Sequence, residues 1–268
     1  MLATEREDFI RNQAILKGVV YVNQLAEELK VSRPTIRSDI DKLAKKYDDL
    51  HRVHGGVTYK EKENQASLSE MILGYNERIF SNRDRKKEIA EKAIDYIVEG
   101  ETILLDSSST CFEFASLLSK LDKRLTVITN GLSTAAVLKQ NPSISVIIIG
   151  GLVKLNSNTV YDEFDINIST SFNIDKYFFS ASGVSIDNGF SEFNFMEVKH
   201  KRLNVLNSKQ TIALIDSTKF LKDSSSTFCK MDEVNLLITD SKIDYETFET
   251  FNKRISIVRS NDPVPTTN

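Results

Sequence analysis

Apolar positions recur at two different periods along this chain, and the change of period divides it. From Thr4 onward Phe9, Ile10, Ala14, Ile15 and Leu16 fall at helical spacing until Gly18, where a first helix is predicted to end. Tyr21 and Val22 lead into Leu25, Ala26 and Leu29, a short second helix, with "KVS" as a tight connection. Ser32 then supplies an N-cap hydroxyl, and Pro34 fits a first helical turn because its missing N–H has no helical partner there. Ile36, Ile40 and Leu43 make one apolar stripe, so a third helix is predicted from about Arg33 to Lys46. The stretch "DLHRVHGGV" alternates and ends in Gly55-Gly56, which predicts a hairpin with Arg52 and His54 projecting.

Residues 58–70, "TYKEKENQASLSE", show no apolar period and read as a connector. Met71 to Val98 is predicted helical, and its charge run "NRDRKKEIAEKA" is expected to be a solvated face. Beyond it the period falls to that of buried strands: "TILLD" (102–106), "LTVITN" (125–130), "ISVIIIGG" (144–151), "KYFFSASG" (176–183), "TIALID" (211–216), "NLLIT" (235–239) and "RISIV" (254–258). Helical stretches at Cys111–Leu121 and Leu132–Lys139 alternate with the first of these, the rhythm of βαβ units in a doubly wound parallel sheet.

Two places carry candidate chemistry. With Ile36, Ile40 and Leu43 facing inward, Ser32, Arg33, Thr35, Arg37 and Ser38 fall on or beside the outer face of the first turns of the third helix. A recognition helix inserts those turns into the major groove, and a hairpin bearing Arg52 and His54 would be its wing. A helical bundle with an ordinary solvated face is the competing reading of the helix pattern.

The second place is the set of strand ends, where parallel α/β sheets bind ligands. After "TILL" come Asp106, Ser107, Ser108, Ser109 and Thr110, which gather hydroxyls and N–H groups at the start of a helix and so suit a phosphate. Thr129 and Asn130 follow the next strand, Gly150 and Gly151 the one after, Gly183 ends "KYFFSASG", and Asp216 with Lys219 follows "TIALI". Glu197 and Lys201 stand one helical turn apart, as partners in the site or as a surface ion pair. The convergence suits a small phosphorylated, hydroxyl-rich ligand.

Composition narrows the class further. With 268 residues, 40% hydrophobic and 27% charged, the chain is ordinary globular material with room for two domains. Two cysteines and three scattered histidines give no disulfide framework and no metal-ligand spacing, so neither a metal nor another cofactor is expected. The charged start "MLATEREDFI" and the lack of a long apolar run point to a cytoplasmic protein without membrane contact. Net charge is −3, yet residues 1–60 hold eleven Lys or Arg against nine Asp or Glu, so what positive charge there is lies with the predicted helix-turn-helix.

The first segment closely resembles the amino-terminal domain of the DeoR family of bacterial transcriptional regulators. The resemblance is carried by Glu5-Arg6, Val22, Leu25-Ala26, "VSRPTIRSD" and "LHRVHGGV", with Ser38 where the family usually has a second arginine. Residues 85–240 resemble the effector domain of the same family, which is similar in fold to phosphopentose isomerases. Asp106, Ser109 and Thr110 match its phosphate loop, with Ser108 in place of a glycine. Thr129-Asn130, Gly150-Gly151, the Glu197/Lys201 pair and the Asp216-Lys219-Phe220 stretch match further motifs. In "NTVYDEF", Tyr161 and Asp162 replace a glycine-proline step, which would narrow or reshape the pocket.

The resemblance implies a winged helix-turn-helix over 1–57, a connector over 58–70, a phosphopentose-isomerase-like effector and oligomerisation domain over 71–259, and a disordered tail over 260–268. It implies a non-catalytic regulator, a repressor by family habit, that binds double-stranded operator DNA as a dimer or tetramer and responds to a phosphorylated sugar. The rival is an isomerase fused to a helix-turn-helix. Against it, the stretch "SASGVS" (180–185) lacks the paired aspartates by which the isomerases abstract a proton.

Overall fold

A computed structural model describes residues 3–17, 19–47, 49–53, 55–59, 78–79, 81–154, 157–163 and 168–263. The chain forms two compact units, residues 1–69 and 70–268.

In the first unit α1 (Ala3–Lys17) buries Ile10 and Ala14, and β1 (Val19–Tyr21) leads directly into α2 (Val22–Leu29). α2 stops at Lys30, whose backbone takes the left-handed conformation that ends a helix. α3 spans Arg33–Lys46, with the Ser32 side chain accepting the Thr35 N–H and with Ile36, Ile40 and Leu43 buried as the stripe requires. β2 (Leu50–Val53) and β3 (Gly56–Tyr59) form the hairpin, and β1 pairs on the other side of β3 to give an antiparallel sheet in the order β1-β3-β2.

Both glycines of the hairpin are needed. Gly55 sits at φ 85°, and a Cβ on Gly56 would lie 2.1 Å from the Val20 carbonyl oxygen. β3 also takes in Thr58 and Tyr59, which the polar pattern assigned to the connector; their pairing with β1 and β2 holds them in the sheet. The rest of the expected connector lies outside the described residues.

In the second unit α4 spans Arg83–Ile94. The helix predicted over 71–98 is broken at Asn82, which is left-handed, and ends where the chain turns after Ile94, while residues 71–77 of that prediction lie outside the described residues. Then follow β4 (Thr102–Leu105), α5 (Ser109–Leu118), β5 (Leu125–Thr129), α6 (Leu132–Leu138), β6 (Ile144–Ile148), β7 (Leu152–Val153), β8 (Val160–Tyr161) and β9 (Ile174–Phe179). The chain continues through β10 (Gly183–Ser185), β11 (Gly189–Glu192), α7 (Phe195–Asn207), β12 (Ser208–Leu214), β13 (Ser226–Cys229), β14 (Leu236–Thr239), α8 (Tyr245–Asn252) and β15 (Ile257–Arg259).

Seven strands form one parallel sheet in the order β15-β14-β12-β9-β4-β5-β6. Along each central strand successive side chains enter opposite layers. Ile103, Leu105 and Phe178 pack with Ile89, Ala93, Phe114 and Leu118 of α4 and α5, while Leu104, Tyr177 and Phe179 pack with Val205 of α7 and Phe248 and Phe251 of α8. The second layer also receives the antiparallel sheet β10-β11-β13, whose Phe190 and Phe228 meet Phe179 edge-on at 5.5 and 5.4 Å.

Winding runs outward from β4 through β5 to β6 and outward from β9 through β12 to β15. The reversal falls between β4 and β9, so the loops leaving these two strands lie side by side.

Two expectations are corrected here. The basic run on α4 is not wholly solvated: Lys86 and Lys92 are buried and donate to backbone carbonyls, Lys86 to Arg78 and Ser81, Lys92 to Asp262. The expected tail is fixed as far as the described residues go, since the Ser260 N–H reaches the Thr239 carbonyl at 2.8 Å and its hydroxyl reaches Glu88 at 2.8 Å.

Candidate DNA-reading surface and effector cleft

On the first unit, Ser32, Arg33, Arg37 and Ser38 are exposed and Thr35 is half-exposed, because the other face of α3 is spent on the core. Asp39 explains how the helix is fixed. It is buried and takes a two-pronged contact from Arg6 of α1, 2.5 Å from Nε and 3.2 Å from a terminal guanidinium nitrogen. Ser32 and Thr35 hydroxyls bond each other at 2.8 Å at the head of the helix.

Arg37 and Arg52 line one concave surface with Gly55 and Gly56, so α3 and the wing present their cations together. Arg52 is paired with Asp41 of α3, which holds the wing arginine over the helix. Arg33 and Arg37 have no acidic partner among the described residues. His54 lies outside the described residues.

On the second unit a cleft opens where the β4 and β9 loops meet. Its first wall is the N-terminus of α5. Ser108 caps that helix by accepting the Cys111 N–H at 3.2 Å, and the Ser107 hydroxyl turns away to Thr159 at 2.7 Å. The hydroxyls of Ser109 and Thr110 have no partner among the described residues and line the cleft beside the first-turn N–H groups of the helix. Asp216 and Lys219 line it from the β12 loop, which Asp240 of the neighbouring strand end braces through Ser217 at 2.6 Å. Burial opposes charge on Asp216, but Lys219, Lys86 and the Thr218 donors outweigh it and keep the carboxyl below its usual range.

Lys201 lies beneath this cleft, not in it. Its ammonium is 2.6 Å from the Ser180 carbonyl, 2.8 Å from Glu192 and 3.1 Å from Asp106, so three acceptors take its three N–H bonds. The surface ion-pair alternative for Glu197 and Lys201 is thereby excluded: Lys201 is buried and its partners are on other elements. Burial disfavours the charge of Lys201, and Glu192 and Asp106 reverse the effect, raising it well above an ordinary lysine. Asp106 is in turn held low by Lys201 and by the N–H groups of Ser108 and Ser180, each at 2.9 Å, against the pull of burial.

Glu197 does line the cleft, and burial together with the neighbouring Glu192 carboxylate raises it to about 7. Thr129, Asn130, Gly150, Gly151 and Gly183 are not brought to the cleft. Thr129 and Asn130 bond the Gly131 N–H and the Val160 carbonyl, and a Cβ on Gly151 or Gly183 would meet the carbonyl oxygens of Tyr161 at 2.0 Å or Lys222 at 2.5 Å, so these glycines serve backbone packing. Tyr161 does not narrow the cleft either; it is buried behind it, its hydroxyl 2.9 Å from Asn194. Lining residues that the motifs missed are Arg78, Ser81, Lys86, Ser180, Ser182 and Glu192. Glu192 had one signal, an acidic residue closing a strand just before a helix cap.

Residues 11–63 match the DeoR-like helix-turn-helix domain, and residues 81–241 match the DeoR C terminal sensor domain, more than half of the chain. The chain belongs to the DeoR family. This DeoR-family protein is 35% identical over 251 residues to the HTH-type transcriptional regulator GolR of Listeria innocua, covering 94% of this chain and 96% of that one. It is 30% identical over 218 residues to the L-fucose operon activator of Escherichia coli, covering 81% and 87%. The structure of ribose 5-phosphate isomerase A from Methanocaldococcus jannaschii is similar over 53% of this chain and 56% of that one, with 18% identity and a TM-score of 0.40.

This DeoR-family chain is therefore a DNA-binding transcriptional regulator with a sensor domain for a small effector, and not an enzyme; its relatives regulate transcription. Among the described residues no helix is long and apolar enough to cross a membrane.

Proposed function

We propose that the chain is a cytoplasmic repressor of carbohydrate-metabolism genes whose operator affinity is set by a phosphorylated sugar in the cleft. One observation carries the reading: at the switch point of the parallel sheet, the open hydroxyls and N–H groups of the α5 N-terminus share a cleft with Lys219, Lys86 and Arg78. Phosphate oxygens suit the helix end and the cations, and sugar hydroxyls suit the Ser180–Ser182 and Glu197 side. Arg33, Thr35, Arg37 and Ser38 read the major groove, with Arg52 and His54 in the wing as a second contact group.

A lone winged helix spans few base pairs, so genomic specificity calls for a homo-oligomer, a dimer or tetramer reading repeated half-sites. Repression is the family's usual mode, while an L-fucose operon activator is among the relatives, so the sign is tested by a reporter fused to the chain's own promoter. A thermal-shift screen of sugars and their phosphates tests the cleft. At one hundred times its Kd a ligand stabilises by about 2.7 kcal/mol. The phosphorylated form of the right sugar should raise the melting temperature and the free sugar should not; equal shifts from both would remove the phosphate site.

A further inference from the structure

Glu197 is aimed by a buried relay that reaches it from behind the cleft. The Asn194 carboxamide accepts the Met196 N–H at 3.1 Å, capping α7, and its amino group donates to the Tyr161 hydroxyl at 2.9 Å and to Glu197 Oε1 at 3.3 Å. These partners fix which end of the amide is nitrogen, since a carboxyl and a backbone N–H demand opposite ends. Tyr161 is buried and its hydroxyl lies 3.4 Å from the Ser157 hydroxyl, so it stands as a rigid post for Asn194.

The two acids that neighbour Glu197 are saturated by protein donors. Glu192 is held by Lys201, by the Ser182 hydroxyl and by the Phe193 N–H, and Asp106 by Lys201 and two backbone N–H groups. Glu197 keeps one oxygen without a partner among the described residues. Asp216, on the β12 loop, lies beside Lys219 and Lys86 at the cationic side, so on the Ser180–Ser182 side Glu197 is the acid left to meet a ligand.

We propose that Tyr161 and Asn194 aim the free oxygen of Glu197 at a hydroxyl of the bound sugar and so set which sugar phosphate the cleft prefers, an inference that rests on reading the cleft as a sugar-phosphate site. The phosphate is held at the α5 end, so recognition divides: one end of the cleft binds the anion shared by every candidate, and the Glu197 end distinguishes hydroxyl patterns. Tyr161 and Asn194 are positioning residues and touch no ligand themselves. Discrimination of this kind depends on a buried polar group that goes unpaired with the wrong sugar.

The experiment titrates inorganic phosphate and a panel of five- and six-carbon aldose and ketose phosphates into the full chain and into Tyr161→Phe and Asn194→Asp. Tyr161→Phe keeps the ring and removes the post. It should leave inorganic phosphate affinity unchanged, which also shows the variant folded, while the spread of affinities across the panel shrinks by about fivefold or more, the size of one net hydrogen bond. Asn194→Asp keeps the helix cap but loses the donor to Glu197 and adds a charge beside it. The groups facing Glu197 are then Glu192, Asp106 and the new carboxylate against Lys201 and Arg78. The pH at which sugar-phosphate affinity declines should move upward in this variant, which loss of packing alone would not cause. An unchanged spread and an unchanged pH profile in both variants would overturn the relay and leave the cleft reading standing. Failure of the unmodified chain to bind inorganic phosphate or any of the panel would overturn both.

Discussion

Replacing Lys201 with Met keeps most of the stem but removes an ammonium lying 2.8 Å from Glu192, 3.1 Å from Asp106 and 2.6 Å from the Ser180 carbonyl. Breaking a buried ion pair by deleting one partner costs about 3–5 kcal/mol, because the remaining charge is left uncompensated. Here two carboxylates lose the same cation, but each keeps other donors: Ser108 and Ser180 N–H on Asp106, Ser182 O–H and Phe193 N–H on Glu192. Those donors and protonation limit the loss, so about 3–5 kcal/mol near pH 8 is the expectation for the pair together.

The sign with pH follows from the same contacts. In the unaltered chain Asp106 and Glu192 are held below their usual values, so their stabilisation is present above the unfolded carboxylate range and is lost as pH falls through the folded values. Without Lys201, burial dominates and raises both above their unfolded values. The variant's deficit is then largest at pH 8 and shrinks at pH 5.5, where protonation relieves it. Hydrogen exchange of β4 and β9 amides at the two pH values reads this unit separately from the DNA-binding unit. A loss below about 1 kcal/mol at pH 8, or equal losses at both pH values, would refute the assignment of Lys201 as the buried counter-ion.

Arg37→Ala should weaken operator binding by about 1–3 kcal/mol if the guanidinium reads a base edge, with fold and effector binding unchanged; intact affinity in a gel-shift titration would remove Arg37 from the interface. Gly56→Ala places a Cβ 2.1 Å from the Val20 carbonyl, so circular dichroism should show a destabilised DNA-binding unit, and an unchanged melting curve would mean the wing opens without cost. Ionised Glu197 repels an anionic ligand, so sugar-phosphate affinity should fall as pH rises from 7 to 8.5, above the phosphate's own second ionisation near about 6. Glu197→Gln should flatten that profile, and calorimetry at three pH values checks it.

Much of this organisation was legible because the apolar period announced it. All seven strands of the parallel sheet were read from buried runs, and α3 from the Ile36, Ile40, Leu43 stripe behind Ser32 and Pro34. β1 was missed because "VVY" is three residues with no alternation, made a strand only by pairing with β3. The sheet β10-β11-β13 was missed because its short strands, "GVS", "GFSE" and "STFC", carry no continuous apolar run of the kind that marks β4 and β14 at the same length.

In the cleft, the α5 hydroxyls and Lys219 follow from their place after a strand, which sequence order supplies. Lys86 bonds the nearby Arg78 and Ser81 carbonyls, which the chain turns back over it just before α4. The depth of Lys201 depends on Asp106, a partner far along the chain, and no local pattern encodes such a pairing. The Tyr161 hydroxyl is a like case, because its partner Asn194 is thirty-three residues away.

The central claim is that the cleft governs DNA binding, and linkage tests it most directly. A phosphorylated sugar found in the thermal screen is titrated by calorimetry into the protein with and without saturating operator DNA, and into Thr110→Val and Lys219→Ala. An effector that weakens operator affinity tenfold must itself bind the DNA complex tenfold more weakly, a coupling of about 1.4 kcal/mol, and both variants should lose the ligand while binding operator normally. Equal ligand affinity with and without operator would contradict the account.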